Sequence, residues 1–126
     1  MRSGEAQGKG ELAERTKKFA LKIIALADKL PQNAAGWVIQ NQILRCGTSV
    51  GANYRSAVRS RSTADFIGRM GVVEKESDES MYWMELIIEA GLMPSERVLP
   101  LHAEAEEIMA MTIASIRTAR GGSRKG

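Results

Sequence analysis

Leu12, Phe19, Ile23, Leu26 and Leu30 recur at steps of three, four and seven, and the same rhythm returns three more times along the chain. Side chains three and four residues apart share one face of an α-helix, so each set describes an apolar stripe. The second set is Ile39, Ile43, Cys46, Val50, Tyr54 and Ala57. The third is Phe66, Met70, Val73, Ser77, Met84 and Ile87, and the fourth is Leu101, Ala105, Ile108, Thr112 and Ile116. Punctuation falls between them. Pro31 ends the first stripe, "PQNAAG" reads as a turn, and Asn33 is a suitable N-cap for a helix over 34–58. Ser62 followed by Asp65 offers a capping box for a third helix running to about Ala90, where Gly91 caps and Pro94 stops it. The fourth helix starts at Ser95 or at Pro100, proline being comfortable in a first turn, and ends near Arg120. Four stripes joined by short turns predict an all-α, antiparallel up-down-up-down four-helix bundle over 11–120. Residues 1–10, with three glycines among polar groups, and the basic tail "GGSRKG" at 121–126 are expected to lack fixed structure.

Two features complicate a single small core. Helix 2 carries Gly36, Gly47 and Gly51, and an interior glycine costs roughly 1 kcal/mol relative to alanine. Gly47 and Gly51 stand one turn apart in "GTSVG", which suits close approach to a neighbouring backbone; a break in the helix at 47–51 is the competing reading. The second feature is an apolar set off the main stripes: Ile24, Trp37, Leu44, Ile67, Val72, Trp83, Leu86 and Ile113. Four helices in a chain of 126 residues cannot cover all of these, so self-association is expected.

Reactive chemistry is poorly represented. The single cysteine, Cys46, lies on the apolar face of helix 2 and cannot form an internal disulfide. The single histidine, His102, has leucine rather than glutamate three residues before it, so the Glu-x-x-His pattern of di-iron bundles is missing. It reads as a solvated or paired surface group, with Glu106 one turn on. Glu74 with Asp78, and Glu85 with Glu89, are acids one turn apart; with Arg and Lys nearby they read as solvated or salt-bridged rather than as an acid–base pair. No nucleophile–base pair and no phosphate-loop spacing is present. The expected protein is not an enzyme and needs no metal or cofactor.

Charge is unevenly laid out. Residues 1–33 hold seven basic and four acidic groups, 34–61 hold four arginines and no acid, and 62–91 hold seven acids against two bases. In a hairpin about 60–63, Arg45 falls opposite Glu76 and Glu79, while Arg55, Arg59 and Arg61 lie beyond the acidic block, near Arg69. Guanidinium groups suit carboxylates and phosphates equally. One reading is a solvated hairpin end with salt bridges between subunits. The other is a phosphate-binding patch multiplied by assembly. The nearby aromatics, Tyr54 and Phe66, belong to core stripes, so base-stacking readout of RNA is not indicated.

Residues 42–93 closely resemble the four-helix-bundle proteins named for intervening sequences within bacterial 23S ribosomal RNA. The matching elements are R-x-x-x-S-V-G-x-N-Y from Arg45, R-S-x-A-D-F-I from Arg61, E-K-E-S-D-E-S from Glu74, and the Tyr82–Trp83 pair. The resemblance implies an antiparallel bundle that assembles as a ring, a homopentamer in known members, without catalytic residues. It is more distantly similar to the accessory variability protein of diversity-generating retroelements, a basic pentamer associated with nucleic acid. On this footing Arg55, Arg59, Arg61 and Arg69 are candidate nucleic-acid contacts. Arg45, Gly47, Gly51, Asn53, Tyr54, Ser62, Phe66, Glu76, Glu79 and Trp83 are candidate structural or interface residues. The expected partners are further copies of the chain and RNA or another nucleic acid; in the alternative reading the bundle is a scaffold for a protein partner. No apolar run approaches the ~20 residues needed to cross a bilayer, and the first residues lack a signal-type apolar segment, so a cytoplasmic protein is expected.

Overall fold

The structure, a computed structural model, describes residues 4–125. It consists of α1 (Gly4–Asp28), α2 (Ala34–Val58), α3 (Thr63–Glu89) and α4 (Ser95–Lys125), with no strand among the described residues. The inner boundaries are set by local chemistry. Asn33 is extended, and its side-chain oxygen accepts the Gly36 N–H at 2.9 Å, satisfying a donor that the first turn of α2 leaves free. Ser62 does the same for α3, accepting the Asp65 N–H at 3.0 Å. Gly91 adopts φ 68°, a conformation that side chains resist. This lets the Gly91 and Leu92 N–H groups reach the carbonyls of Ile88 and Ile87 at 3.0 and 2.9 Å, closing α3.

The outer ends depart from expectation, and the two readings of the α4 start are resolved. α1 begins at Gly4 and α4 continues to Lys125, so 4–10 and 121–125 are helical rather than structureless; residues 1–3 and 126 lie outside the described residues. Once a helix is nucleated, each added residue gains one hydrogen bond, and Glu5, Ala6, Gln7 and Lys9 are good helix formers. α4 starts at Ser95, which places Pro100 in its second turn, not its first. The missing N–H leaves only the Glu96 carbonyl without its intrahelical donor, in an exposed turn where water can replace it.

Each helix buries its stripe. The stripe residues of all four helices are buried, except Phe66, which is half-buried and packs against the core. Full burial of a large aliphatic or aromatic side chain contributes roughly 1.5–3 kcal/mol, so this shared core is the main stabilising element. Buried hydroxyls within the stripes bond to their own helices: Ser77 donates to the Val73 carbonyl at 2.8 Å and Thr112 to that of Ile108 at 2.7 Å. Successive helices pack side by side, and α4 closes against α1 over a shorter seam.

α2 runs unbroken through 47–51, so the alternative of a break there is set aside. The two glycines instead admit α1. A Cβ on Gly47 would come within 2.7 Å of the buried Ile23 side chain, and one on Gly51 within 3.3 Å of the Thr16 carbonyl oxygen. Further along, the Gln40 amide donates to the Ala27 carbonyl at 3.0 Å. The partners on α1 descend as those on α2 ascend, so these two helices are antiparallel.

The off-stripe apolar set divides. Leu44, Ile67, Trp83 and Leu86 pack as a half-buried collar on the core, whereas Ile24, Trp37 and Val72 remain exposed. Leu21, Val38, Tyr82 and Leu99 join the exposed group. No described helix is long and apolar enough to cross a membrane.

Substitution at two glycines separates packing from propensity. Gly47→Ala meets the β-branched core residue Ile23 and is expected to destabilise by roughly 1–3 kcal/mol despite alanine's better helix propensity. Gly68→Ala, where nothing lies within 4 Å of the new Cβ, is expected to stabilise by roughly 0.5–1 kcal/mol. Urea unfolding midpoints of the two variants should therefore move in opposite directions.

Candidate nucleic-acid interface

The end of α2 and the start of α3 bring the arginine-rich stretch to one end of this hairpin. α2 finishes with Arg59 as its C-cap, and the N–H groups of Arg59 and Ser60 bond back to the Ser56 and Ala57 carbonyls at 3.2 and 3.0 Å. Three residues later Ser62 opens α3. This tight turn projects Arg59 and Arg61 outward and sets them beside Arg69, one and a half turns into α3. Together with Ser56, Ser60, Ser62 and the acid Asp65 they line a recess of about 510 Å³.

Their states differ. Arg59 and Arg61 are exposed and make no ion pair among the described residues. Arg69 is partly neutralised, since its Nε lies 3.1 Å from both carboxylate oxygens of Asp65. Asp65 therefore faces Arg69 while its backbone N–H is held by Ser62. Arg55 occupies the last turn of α2, where a cation suits the negative end of the helix dipole, but it does not line the recess. Four arginines were candidates; three converge.

The acidic block is engaged elsewhere. Arg45 pairs with Glu79 and sits 3.6 Å from Glu76, which is buried with one oxygen lacking any hydrogen-bond partner. Glu79 also accepts from the Trp83 indole at 3.4 Å, and Tyr82 meets the Trp83 ring edge-on at a 5.2 Å centroid distance. Glu76 and Glu79 are thus engaged with Arg45 away from the recess, where Asp65 is the one lining acid against three arginines.

The remaining candidates make contacts within the chain. Gly47 and Gly51 seat α1, and the Asn53 amide donates to the Ser49 carbonyl at 2.9 Å. Tyr54 is buried, and burial pushes its hydroxyl up to about 12. With Tyr54 in the core and Phe66 packed on it, no aromatic platform stands at the recess. Cys46 is fully buried, accepts a hydrogen bond from Ser80 at 3.4 Å, and has its thiol pKa raised by burial, which suppresses the thiolate. His102 lies 2.9 Å from Glu85 of α3 rather than pairing along its own helix with Glu106. No group of three or more His, Cys, Asp or Glu among the described residues could hold a metal ion.

One cluster was invisible to the sequence. Arg15 of α1 grips Glu104 of α4 through Nε and Nη2 at 2.9 and 2.8 Å, a two-point charge-assisted contact. The hydrogen bond from Arg15 holds the Glu104 carboxyl below the usual carboxylate range, and that same bond raises the Arg15 guanidinium. Only the α1–α4 seam brings these residues together across 89 positions of chain.

The chain matches the family model described as 23S rRNA-intervening sequence protein over residues 9–114. A solved structure from Bacteroides thetaiotaomicron, described as a protein with unknown function from the S23 ribosomal protein family, is similar to it. The TM-score is 0.82 at 33% identity, covering 87% of this chain and 98% of that one. No curated protein matches the chain.

The Arg15–Glu104 contact predicts a specific pH dependence. The folded Glu104 carboxyl titrates below its unfolded value, so the pair stabilises fully above the ordinary glutamate range of ~4.3 and fades as pH falls through the folded value. Glu104→Gln is expected to be less stable than wild type by about 1 kcal/mol at pH 7. Thermal unfolding should show that gap closing toward pH 3; a gap of constant size would contradict the assignment.

Proposed function

Because the chain belongs to the 23S rRNA-intervening sequence protein family, we propose that it is a non-enzymatic bundle that self-assembles into a ring and holds RNA by its phosphates. The observation that carries this reading is the recess at the α2–α3 turn. Arg59 and Arg61 offer it two cations with no ion pair among the described residues, and Arg69 and the hydroxyls of Ser56 and Ser62 supply further donors. Arginine forks match phosphate oxygens in pairs, and hydroxyls complete such contacts. With no stacking aromatic at the site, binding should follow charge and shape rather than base sequence.

Self-assembly is supported by apolar surface that the bundle leaves uncovered. Leu21, Trp37, Val38 and Tyr82 are each more than half exposed. Aromatic and large aliphatic residues left open to water are the groups that a subunit contact would cover. A ring, of five subunits if it follows the family pattern, would repeat the arginine recess around its axis and raise the local field for a polyanion. The same surface also supports an adaptor reading, in which a protein partner rather than RNA is the ligand.

Fluorescence anisotropy with ribosomal RNA fragments at graded salt separates these outcomes. Each phosphate neutralised adds ~0.7–0.9 to the slope of log affinity against log salt, so Arg59→Ala/Arg61→Ala should flatten the slope by about 1.5 per subunit engaged. Circular dichroism of the variant should be unchanged, because both side chains are exposed. Binding no tighter than about millimolar at low salt, or a slope indifferent to these two arginines, contradicts the proposal.

A further inference from the structure

A second recess lies at the opposite chemical extreme, in the seam between α1 and α4. Residues 22, 25 and 26 fall on one face of α1, with Lys29 just past its end, and 97, 100, 101 and 104 fall on one face of α4. Between them is a cleft of about 340 Å³, at the small end of the ~300–1,000 Å³ range of ligand pockets. Its floor is apolar, made by the buried side chains of Leu26, Met93 and Leu101. Ala25, the small exposed residue at its edge, leaves the mouth open.

The rim is cationic. Lys22, Lys29 and Arg97 line it and are exposed, and their side chains make no ion pair or hydrogen bond among the described residues. Glu104, the one acid at the cleft, is occupied by Arg15. Lys22 also shares the field of Glu104, which leaves the rim with more positive than negative charge. An apolar floor beneath such a rim is complementary to a molecule with a greasy body and a negative head. Burial of the body gains hydrophobic free energy while the head stays at the wet rim. Apart from Met93, the lining residues span eight positions on each side, 22–29 and 97–104, about 12 Å of helical rise, which is too short to seat a partner helix of several turns. At ~30 Å³ per water-sized group, 340 Å³ holds on the order of ten heavy atoms.

We propose that the α1–α4 cleft binds a small amphiphilic anion, a medium-chain carboxylate whose chain lies on Leu26, Met93 and Leu101 and whose head is held by Lys22, Lys29 and Arg97. Nothing in this assignment depends on the RNA reading, since the cleft and the arginine recess share no residue.

Isothermal titration of the full chain with decanoate tests it, with 1-decanol and decyltrimethylammonium as neutral and cationic probes. Decanoate should bind saturably at one site per chain, and both controls should bind at least about fivefold more weakly, as expected for loss of two or three partly exposed charge contacts of 0.2–1 kcal/mol each. Ala25→Trp closes the mouth from an exposed position and should reduce decanoate affinity by about tenfold or more, equivalent to about 1.4 kcal/mol. Lys29→Gln/Arg97→Gln should weaken decanoate but leave 1-decanol unchanged. Equal binding of the three probes, or decanoate binding indifferent to Ala25→Trp, overturns the proposal. So does a loss of self-association in Ala25→Trp, which would make the cleft a contact between copies of the chain.

Discussion

Every helix of this protein hides one narrow stripe, and that shared burial fixes which other residues can meet. A stripe spaced three and four residues apart has a single orientation in which all its members face inward. Once Phe19, Ile23, Ile43, Val50, Met70, Met84, Ile87 and Ile108 share a core, the rotation of each helix is set. Ile23 against Gly47 then fixes how near α1 and α2 lie, because only a residue without a side chain leaves room at that depth. The polar chemistry of the surface inherits this geometry.

The two ends of that inheritance have different characters. At the α2–α3 turn, capping by Ser62 and the tight return of the chain after Arg59 gather three arginines around serine hydroxyls. Farther along the same hairpin, Arg45 takes up Glu76 and Glu79. A chain with mixed charge therefore presents a positive end instead of a neutral surface, and it does so by the order of residues rather than by a large net charge. At the α1–α4 seam the reverse balance holds: apolar floor, cationic rim, and an acid already spent on Arg15.

Much of the fold was legible because the signals were local. Stripe, cap and stop residues give the bounds of α2 and α3, and the main inward stripes follow from spacing, whereas Thr16, Glu76, Ser80, Met81 and Val98 are buried off those stripes. The helical ends at 4–10 and 121–125 were not legible, because glycine content argued against them while continued hydrogen bonding from an established helix favours them. Ser95 and Pro100 both make sound starts for α4, and the structure selects Ser95. Arg59, Arg61 and Arg69 could be grouped from the hairpin turn, yet Arg55 could not be separated from them until the direction of its turn was known. Arg15–Glu104 and His102–Glu85 join different helices, and sequence spacing carries no information about such pairs.

The uncovered residues are the other half of the same constraint. One stripe per helix goes inward, the collar of Leu44, Ile67, Trp83 and Leu86 absorbs part of the remainder, and Leu21, Ile24, Trp37, Val38 and Tyr82 are left in water. The proposed ring exists to cover them, and the repeated arginine recess follows from the ring. Multi-angle light scattering across a wide concentration range measures this directly. The account predicts a discrete particle whose mass is a whole multiple of 13.8 kDa and which persists on dilution. A folded species that stays at 13.8 kDa at high concentration would contradict it.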